Sequence, residues 1–194
     1  MQGCENLDDD QKEYVEKILF NTERLSSLVS NILLLSKIEN QSIQAKRELF
    51  SLDEQIRESI VVLETAWAPK NIELDVELDS VKYNGNEIMM RHVWSNLIGN
   101  AIKFTPENST VSIRLRNQKD KFIFSVTDQG EGLSDEAQKH LFDKFYQADT
   151  SHKSEGNGLG LALVKQILDI DGGNITAENV NGGGCRFTVT LYDK

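Results

Sequence analysis

The 194-residue sequence predicts an α+β fold, a two-layer α/β sandwich in which helices cover one face of a mixed sheet, preceded by a long N-terminal helix. Residues 11–39 contain neither proline nor glycine and repeat apolar side chains at helical spacing. Further on, helical and strand-like segments alternate without a regular β–α–β repeat. Because 39% of the residues are hydrophobic, the chain has enough apolar material for a core.

The long helix is predicted from Gln11 to about Glu39. Such a helix exposes its apolar seam when it is alone, so we expect it to pack in a bundle with another helix or with a second chain. Residues 1–9 are polar and acidic and are predicted to be a disordered or artificially added leader. The positions of the seam that keep heptad spacing are Ile18, Leu25, Leu28, Ile32 and Leu35.

A polar joint at residues 40–48 follows the long helix, and we place the domain boundary there. Ser51 and Glu54 form an S-x-x-E capping box, which predicts the start of a second helix. This helix is expected to run to about Trp67, because Pro69 disfavours helical backbone in the residue before it.

The remaining elements are predicted from alternation and from start signals. Ser134, followed by two carboxylates, predicts a short helix, and another helix is expected from Leu159 to Leu168. Alternating side chains predict strands, two of which flank a short hairpin turn. The strands are predicted over residues 72–78, 81–83, 110–116, 121–127, 174–179 and 186–192.

The stretch from Met89 to Pro106 predicts an amphipathic helix with an unusual polar face. Its apolar residues form a broad arc, whereas Asn96, Asn100 and Lys103 line up at i, i+4 and i+7. Two interpretations stand at this point: a solvated surface, or a face that presents oxygen ligands and one cation to a phosphorylated ligand and its metal. Magnesium prefers oxygen donors, and lysine supplies a point charge for phosphate.

Two glycine clusters follow this helix. Asp128 ends a predicted strand and precedes Gly130 and Gly132, which let the backbone approach a flat ligand while the carboxylate accepts hydrogen bonds from an exocyclic amine. Alone, this motif is also a common turn. The cluster at residues 156–161 opens a helix, whose N–H groups form an anion site, and the polar stretch 149–155 suits a lid over a nucleotide. Neither cluster has P-loop or Rossmann spacing.

The composition argues against several classes of function. The net charge of −10 and the pI of about 4.8 oppose nonspecific binding to nucleic acid or to anionic lipid. Cys4 and Cys185 lack CxxC or metal-ligand spacing, so we expect two free thiols. The chain has no apolar run of about 18 residues and no signal peptide. We expect a cytoplasmic piece without direct membrane contact, and a membrane anchor in a longer parent protein stays open.

Five motifs, taken together and in order, resemble the boxes of sensor histidine kinases of two-component systems. They are NLIGNAIKFT at 96–105 (N box), DQGEGL at 128–133 (first glycine box), FDKFY at 142–146 (F box), GNGLGL at 156–161 (second glycine box) and GGGCRF at 182–187 (third glycine box). The resemblance covers the chain from about Asp10 onward. It implies the Bergerat ATP-binding fold of the GHKL superfamily, shared with gyrase, mismatch-repair and heat-shock-chaperone ATPases, with ATP and Mg²⁺ as ligands.

Position within these boxes implies a role for each residue of the site. Asn96 and Asn100 would face magnesium and the phosphates, with Asn100 preferred as the direct metal ligand, and Lys103 would contact phosphate; these three are the catalytic candidates. Asp128 would recognise the adenine amine. The other nucleotide-binding candidates are Gly130 and Gly132 beside the adenine, Phe142, Phe145 and Tyr146 at the base of the lid, Gly156, Asn157, Gly158, Leu159, Gly160 and Leu161 in the lid, and Cys185 in place of the family's usual serine or threonine.

One position separates a kinase from a hydrolase. In the related ATPases a glutamate one helical turn before the metal-binding asparagine activates water, whereas here that residue is Asn96, which has no useful basicity. The resemblance therefore implies transfer of the γ-phosphoryl group of ATP to a histidine. The alternatives are a hydrolytic GHKL ATPase and a degenerate, non-catalytic assembly module.

The histidine that accepts the phosphoryl group is missing from its expected context. The chain contains only His92, His140 and His152, and none of them lies in an H-E-x-x-x-P box. Residues 10–46 resemble the second helix of the dimerisation and histidine-phosphotransfer domain, and residues 47–194 resemble the ATP-binding catalytic domain. We therefore expect a fragment that binds ATP and does not phosphorylate itself. In the full system it would form a homodimer and serve a response regulator.

Overall fold

The computed structural model describes residues 8–39, 46–147 and 157–193. Within these ranges the chain forms six helices and seven strands. In chain order they are α1 (Asp9–Glu39), β1 (Glu48–Ser51), α2 (Leu52–Val62), α3 (Glu64–Trp67), β2 (Glu73–Leu78), β3 (Lys82–Gly85), α4 (Glu87–Phe104), β4 (Thr110–Gln118), β5 (Lys121–Thr127), α5 (Asp135–His140), α6 (Gly160–Asp171), β6 (Asn174–Asn179) and β7 (Cys185–Tyr192).

Five strands form the main sheet in the order β2–β4–β5–β7–β6. β2 and β4 are parallel, with Glu73 opposite Thr110, and the other neighbouring strands are antiparallel. The predicted α+β architecture with a mixed sheet is confirmed. β1 and β3 form a separate antiparallel ribbon, in which Phe50 lies opposite Tyr83. The strand β1 was not predicted, because it has four residues and buries only one of them.

The core lies between the main sheet and the helices α2, α4 and α6. β4 and β5 alternate buried and partly exposed residues, as predicted, so one face of each strand is turned to the helices. Trp94 of α4 is fully buried against Phe124 of β5, with ring centroids 4.7 Å apart. Its indole N–H donates to Gln55 Oε1 at 2.8 Å, which connects α4 to α2. The central helix is therefore fixed on two sides.

The second helix begins where predicted, but the capping box does not form. Ser51 is the N-cap residue of α2 and makes no capping bond with its side chain. Its hydroxyl instead accepts a hydrogen bond from Lys82 Nζ at 2.6 Å, because β1 and β3 are paired there. The expected run to Trp67 is also interrupted, since α2 ends at Val62 and the short α3 begins after Leu63.

The long helix α1 packs onto the sandwich through its C-terminal end. Leu35 and Ile38 are buried in the common core, whereas Ile18 and Leu25 are largely exposed. The predicted boundary in the joint at residues 40–48 and the predicted leader at residues 1–9 lie mostly outside the described residues. No helix in the described ranges is long and apolar enough to cross a bilayer.

The described end of the joint is held by a buried charge network. Arg47 Nη1 donates to Asp171 Oδ1 at 2.9 Å, at the C-terminal end of α6. Tyr83 donates its hydroxyl to the other carboxylate oxygen of Asp171. The ring of Tyr83 lies edge-on to Phe50 and Phe122, so burial restricts it further. The described end of the joint is therefore held against β3 and α6.

Candidate functional site

The central helix α4 places the predicted polar stripe. Asn86 caps the helix by accepting from the N–H of Met89 at 2.9 Å, and the helix continues to Phe104. Its apolar arc is buried, while Asn96, Asn100 and Lys103 are half-buried on another face. The stripe therefore lies at the margin of the core and is neither fully solvated nor fully enclosed.

Asn96 connects α4 to the first turn of α6. Its Nδ2 atom donates to the carbonyl oxygen of His92, one turn earlier, at 2.8 Å. Its Oδ1 atom lies against Gly160, so closely that a side chain at position 160 would overlap it. The amide is thereby oriented from both ends, and the start of α6 is held at this point of α4.

Asn100 and Lys103 continue the same face toward the C-terminal end of α4. Within the described ranges, the side-chain amide of Asn100 has no hydrogen-bond partner in the protein. Lys103 Nζ lies 4.7 Å from the centroid of the Phe104 ring, within cation–π distance. A ligand amide oxygen and a positive charge are thus presented one turn apart.

Asp128 follows β5 and is buried. Its Oδ1 atom accepts the N–H groups of Gly130 at 2.9 Å and of Cys185 at 3.1 Å. Burial raises the pKa of Asp128 above the ordinary value of a carboxyl, and the two N–H donors act in the opposite direction. Because both bonds reach Oδ1, the rotamer is fixed while Oδ2 keeps its capacity to accept a hydrogen bond.

Cys185 contributes to this arrangement through its backbone. Its N–H holds Asp128, and its carbonyl accepts the N–H of Asp128 at 3.0 Å. The thiol is buried, and burial raises the pKa of Cys185 to about 12. The thiol therefore stays protonated at neutral pH and is a poor nucleophile.

The loop after Asp128 is held by residues that the sequence did not reveal. Leu133 donates its N–H to Asn179 Oδ1 at 2.7 Å and accepts from Asn179 Nδ2 at 2.8 Å. Gly132 lies beside the same amide. Asn179 ends β6 and is far from the loop in sequence, so no local pattern could have indicated it.

The F box and the second glycine box meet through their backbones. Phe145 donates its N–H to the carbonyl of Gly158 at 2.8 Å. Gly158 has a φ of 65°, and any side chain there would collide with the backbone of Phe145 and Tyr146. The side chain of Phe145 is 63% exposed, so its backbone makes this contact; Phe142, in contrast, packs against the core. The ring of Tyr146 lies 5.5 Å from that of His140.

The predicted lid is described only from Asn157 onward, and Gly156 lies outside the described residues. Asn157 contacts α1, since Arg24 Nε donates to its Oδ1 at 3.3 Å and its Nδ2 donates to the carbonyl of Arg24 at 3.4 Å. Leu159 is buried as the N-cap residue of α6, and Leu161 packs against the core. The end of the lid is thus attached to the long helix and to the sandwich.

The two histidines within the described residues, His92 and His140, have ordinary environments. His92 is half-buried, and burial lowers its pKa. The Nδ1 atom of His140 lies 2.7 Å from Asp143 Oδ2 at the surface. His152 lies outside the described residues. Among the described residues, no group of three or more His, Cys, Asp and Glu side chains could hold a metal ion.

Two family models match this chain. The model described as "Histidine kinase-, DNA gyrase B-, and HSP90-like ATPase" matches residues 85–194. The model described as "His Kinase A (phospho-acceptor) domain" matches residues 1–41. The two matches include α1 and the whole candidate site.

Two curated relatives are longer than this chain. The haem sensor protein HssS of Staphylococcus saprophyticus is 32% identical over 184 residues, which are 95% of this chain and 40% of HssS. The circadian input-output histidine kinase CikA of Synechococcus elongatus is 35% identical over an alignment 194 positions long, which covers 97% of this chain and 26% of CikA. The chain thus spans less than half the length of these relatives.

Solved structures of histidine kinases have the same fold. AdeS of Acinetobacter baumannii superposes with a TM-score of 0.79 and 25% identity, over 98% of this chain and 87% of AdeS. ThkA, solved in complex with the response regulator TrrA, gives a TM-score of 0.77 and 27% identity, over 98% of this chain and 54% of that structure. The chain belongs to the family of histidine kinase-, DNA gyrase B- and HSP90-like ATPases.

Proposed function

We propose that this chain binds Mg²⁺–ATP and transfers its γ-phosphoryl group to a histidine that lies outside the chain. The observation that carries the proposal is the state of Asn96. A hydrolytic site needs a base near this position, and Asn96 is a neutral amide whose N–H group already donates to the carbonyl of His92. The site therefore lacks a base for water here while keeping the groups that hold a nucleotide.

The adenine end of the site is assigned to Asp128 and its loop. The free lone pairs of Oδ2 suit the exocyclic amine of adenine, because the donors at Oδ1 hold the carboxylate still. Gly130 and Gly132 border the base with backbone alone. A fixed acceptor in a buried setting rejects a purine that lacks the amine, since the carboxylate would then lose a partner.

The phosphate end is assigned to α4 and to the first turn of α6. Lys103 supplies positive charge, and the N–H groups at the start of α6, around Gly160 and Leu161, suit an anion. The chain carries a net charge of −10, so local groups must offset the repulsion of a triphosphate.

The donor set of the site fits magnesium. Asn100 offers a neutral amide oxygen, with Asn96 beside it, and Mg²⁺ usually takes few protein ligands, with water and substrate phosphates completing its shell. When bound, the ion neutralises charge on the phosphates during transfer. The residues of the chain orient the nucleotide: Asn100 at the ion, Lys103 at a phosphate, and the backbone contact of Phe145 with Gly158 at the base of the lid.

The partners are proposed from the same assignment. The exposed seam of α1, which includes Ile18 and Leu25, suits a homodimer formed through the dimerisation helices. The acceptor histidine would lie on the helix that pairs with α1, and a response regulator would take the phosphoryl group in turn. We propose that the domain works in the cytoplasm, where ATP is available.

Labelled ATP tests the proposal. The chain is incubated with [γ-³²P]ATP and Mg²⁺, alone and with a helical peptide that carries an H-E-x-x-x-P box from a kinase of this family. We expect adenine nucleotide binding by calorimetry, no label on the chain itself, and acid-labile label on the peptide. Asp128→Asn is the control that should abolish transfer.

Three results would contradict the proposal. Phosphohistidine on the isolated chain would show that the acceptor lies within it. Steady phosphate release that is abolished by Asp128→Asn would indicate a hydrolytic ATPase. A folded chain that binds no adenine nucleotide would indicate an assembly module.

A further inference from the structure

We propose that Lys70 is a positioning residue of the nucleotide site, a role that rests on the proposed function. Lys70 lies outside the five boxes, in the loop between α3 and β2. Its Nζ atom donates to three backbone carbonyls at the C-terminal end of α4, those of Ile102 at 2.9 Å, Lys103 at 2.8 Å and Thr105 at 2.8 Å. One ammonium group thus uses its three N–H donors on a single turn of backbone.

The position of Lys70 suits this task electrostatically. The last carbonyls of a helix have no intrahelical partner and carry the negative end of the helix dipole. A partly buried ammonium group at that end satisfies them and opposes the dipole. The helix therefore ends sharply at Phe104, and Thr105 turns into extended backbone with its N–H still bonded to Ala101.

The turn that Lys70 holds supports the loop at residues 128–133, which we call the adenine loop. A Cβ atom on Gly130 would stand 2.8 Å from the carbonyl oxygen of Phe104, so this loop rests directly on the end of α4. The N–H of Gln129 is 3.4 Å from the hydroxyl oxygen of the buried Thr105. Asp128 is bonded in turn to the N–H of Gly130. Lys70 is therefore connected to Asp128, the acceptor proposed for adenine, through Thr105 and Gln129.

The loop that carries Lys70 is itself fixed. The carbonyl of Lys70 accepts the N–H of Asn108 at 2.9 Å, and Asn71 Nδ2 donates to Asn108 Oδ1 at 2.7 Å. Both Asn71 and Asn108 have positive φ angles, which asparagine tolerates better than most residues. Lys70 therefore lies in a loop that is itself held by hydrogen bonds, and its ammonium group can restrain the end of α4.

The test compares Lys70→Met, which keeps the apolar stem and removes the donors, with Lys70→Arg, which keeps charge and N–H groups. ADP and adenosine affinities are measured by calorimetry at a temperature where all variants are folded. We expect Lys70→Met to weaken both ligands about five- to tenfold, because the adenine loop loses its support. Lys70→Arg should recover at least half of the loss in binding free energy.

The matched control is Lys82→Met, since Lys82 is also a lysine whose ammonium group donates a hydrogen bond, to Ser51, but it does so on the β1–β3 ribbon. It should leave both affinities unchanged. A Lys70→Met protein with a lower Tm and wild-type affinities would overturn the inference and leave a structural role only. If Lys70→Met does not fold, Lys70→Gln is judged by the same two outcomes. A wild-type chain that binds no nucleotide would refute the proposed function itself, whereas binding that ignores Lys70 refutes this inference alone.

Discussion

The backbone of Gly160 touches the side-chain oxygen of Asn96, and a Cβ atom at position 160 would overlap it. We predict that Gly160→Ala separates α6 from α4 and lowers the free energy of unfolding by about 1–3 kcal/mol, as overpacking does. Nucleotide affinity should fall as well, because Asn96 and the first turn of α6 both lie in the site. Urea unfolding and calorimetric titration with ADP measure the two effects.

A second glycine of the same stripe region provides the matched control. Gly99 lies inside α4, and a Cβ atom there would meet no atom within 4 Å. Gly99→Ala should therefore stabilise the protein by about 0.5–1 kcal/mol through helix propensity and leave ADP binding unchanged. If the two alanine variants behave alike, the close contact at Gly160 has no functional weight.

Asp128→Asn should weaken nucleotide binding without unfolding the protein. Asparagine keeps an oxygen that accepts the N–H groups of Gly130 and Cys185, so the fold is retained. The charged acceptor proposed for the adenine amine is lost, and ADP affinity should fall at least about tenfold, as expected for a hydrogen bond to a charged group. Calorimetry and thermal unfolding without nucleotide are the measurements. An unfolded variant would contradict this separation.

The pH dependence of the same variant follows from the pKa of Asp128. Burial raises this pKa in the folded state above its value in the unfolded chain. At a pH between the two pKa values, Asp128 is therefore protonated more often in the folded chain than in the unfolded chain. Stability from this group therefore falls as pH rises through that interval and stays reduced above it. Asp128→Asn lacks this loss. Without nucleotide its advantage over wild type should be greatest near neutral pH and shrink in acid, as urea unfolding across a pH series would show.

The buried Tyr83 should make the protein less stable in alkali. Burial, and then the neighbouring Asp171 carboxylate, raise the pKa of Tyr83. The unfolded tyrosine ionises at its ordinary pKa, so the stability that Tyr83 contributes is full below about pH 10 and declines above it. Tyr83→Phe should remove this decline. It should also cost about 1–3 kcal/mol at neutral pH, because Asp171 loses a buried donor.

Tyr192→Phe serves as the control for this titration, since Tyr192 is partly exposed at the end of β7. Its alkaline unfolding curve should overlay that of the wild type. Equal curves for wild type and Tyr83→Phe would contradict the assignment.

The two ends of α1 should respond differently to substitution. Leu25 is exposed on the seam, so Leu25→Lys should leave the free energy of unfolding of a monomer nearly unchanged and weaken self-association. Leu35 is buried in the common core, and Leu35→Ala should cost about 2–5 kcal/mol. Light scattering across a concentration series and urea unfolding distinguish the two. Self-association that survives Leu25→Lys would argue against a dimer through this seam.

Elements with strong periodicity were predictable from the sequence. α4 and the hairpin β4–β5 bury one stripe or one face each, so the spacing of their apolar residues predicts these elements. α1 was also predicted from helical spacing, although its described side chains are buried only near its C-terminal end. Asn86 and Ser134 cap α4 and α5 through local bonds. The ribbon β1–β3 was missed, since it depends on pairing between segments that are distant in the chain. The break at Leu63 was missed as well.

Some residues of the candidate site were likewise indicated by the sequence, and others were not. Asn96, Asp128 and Gly160 belong to boxes whose order along the chain is visible in the sequence. Lys70 and Asn179 are single polar residues in unremarkable surroundings, and only the folded chain brings them to the end of α4 and to the adenine loop. Supporting residues of this kind leave no local pattern, because their partners are backbone atoms.

The hydrogen bonds between Arg24 and Asn157 join the long helix to the end of the lid. If a nucleotide binds against Asn157, as proposed, that nucleotide and a displacement of α1 would act on the same bonds. By reciprocity, whatever free energy a bound nucleotide adds to the docking of α1, a displacement of α1 must remove from nucleotide binding.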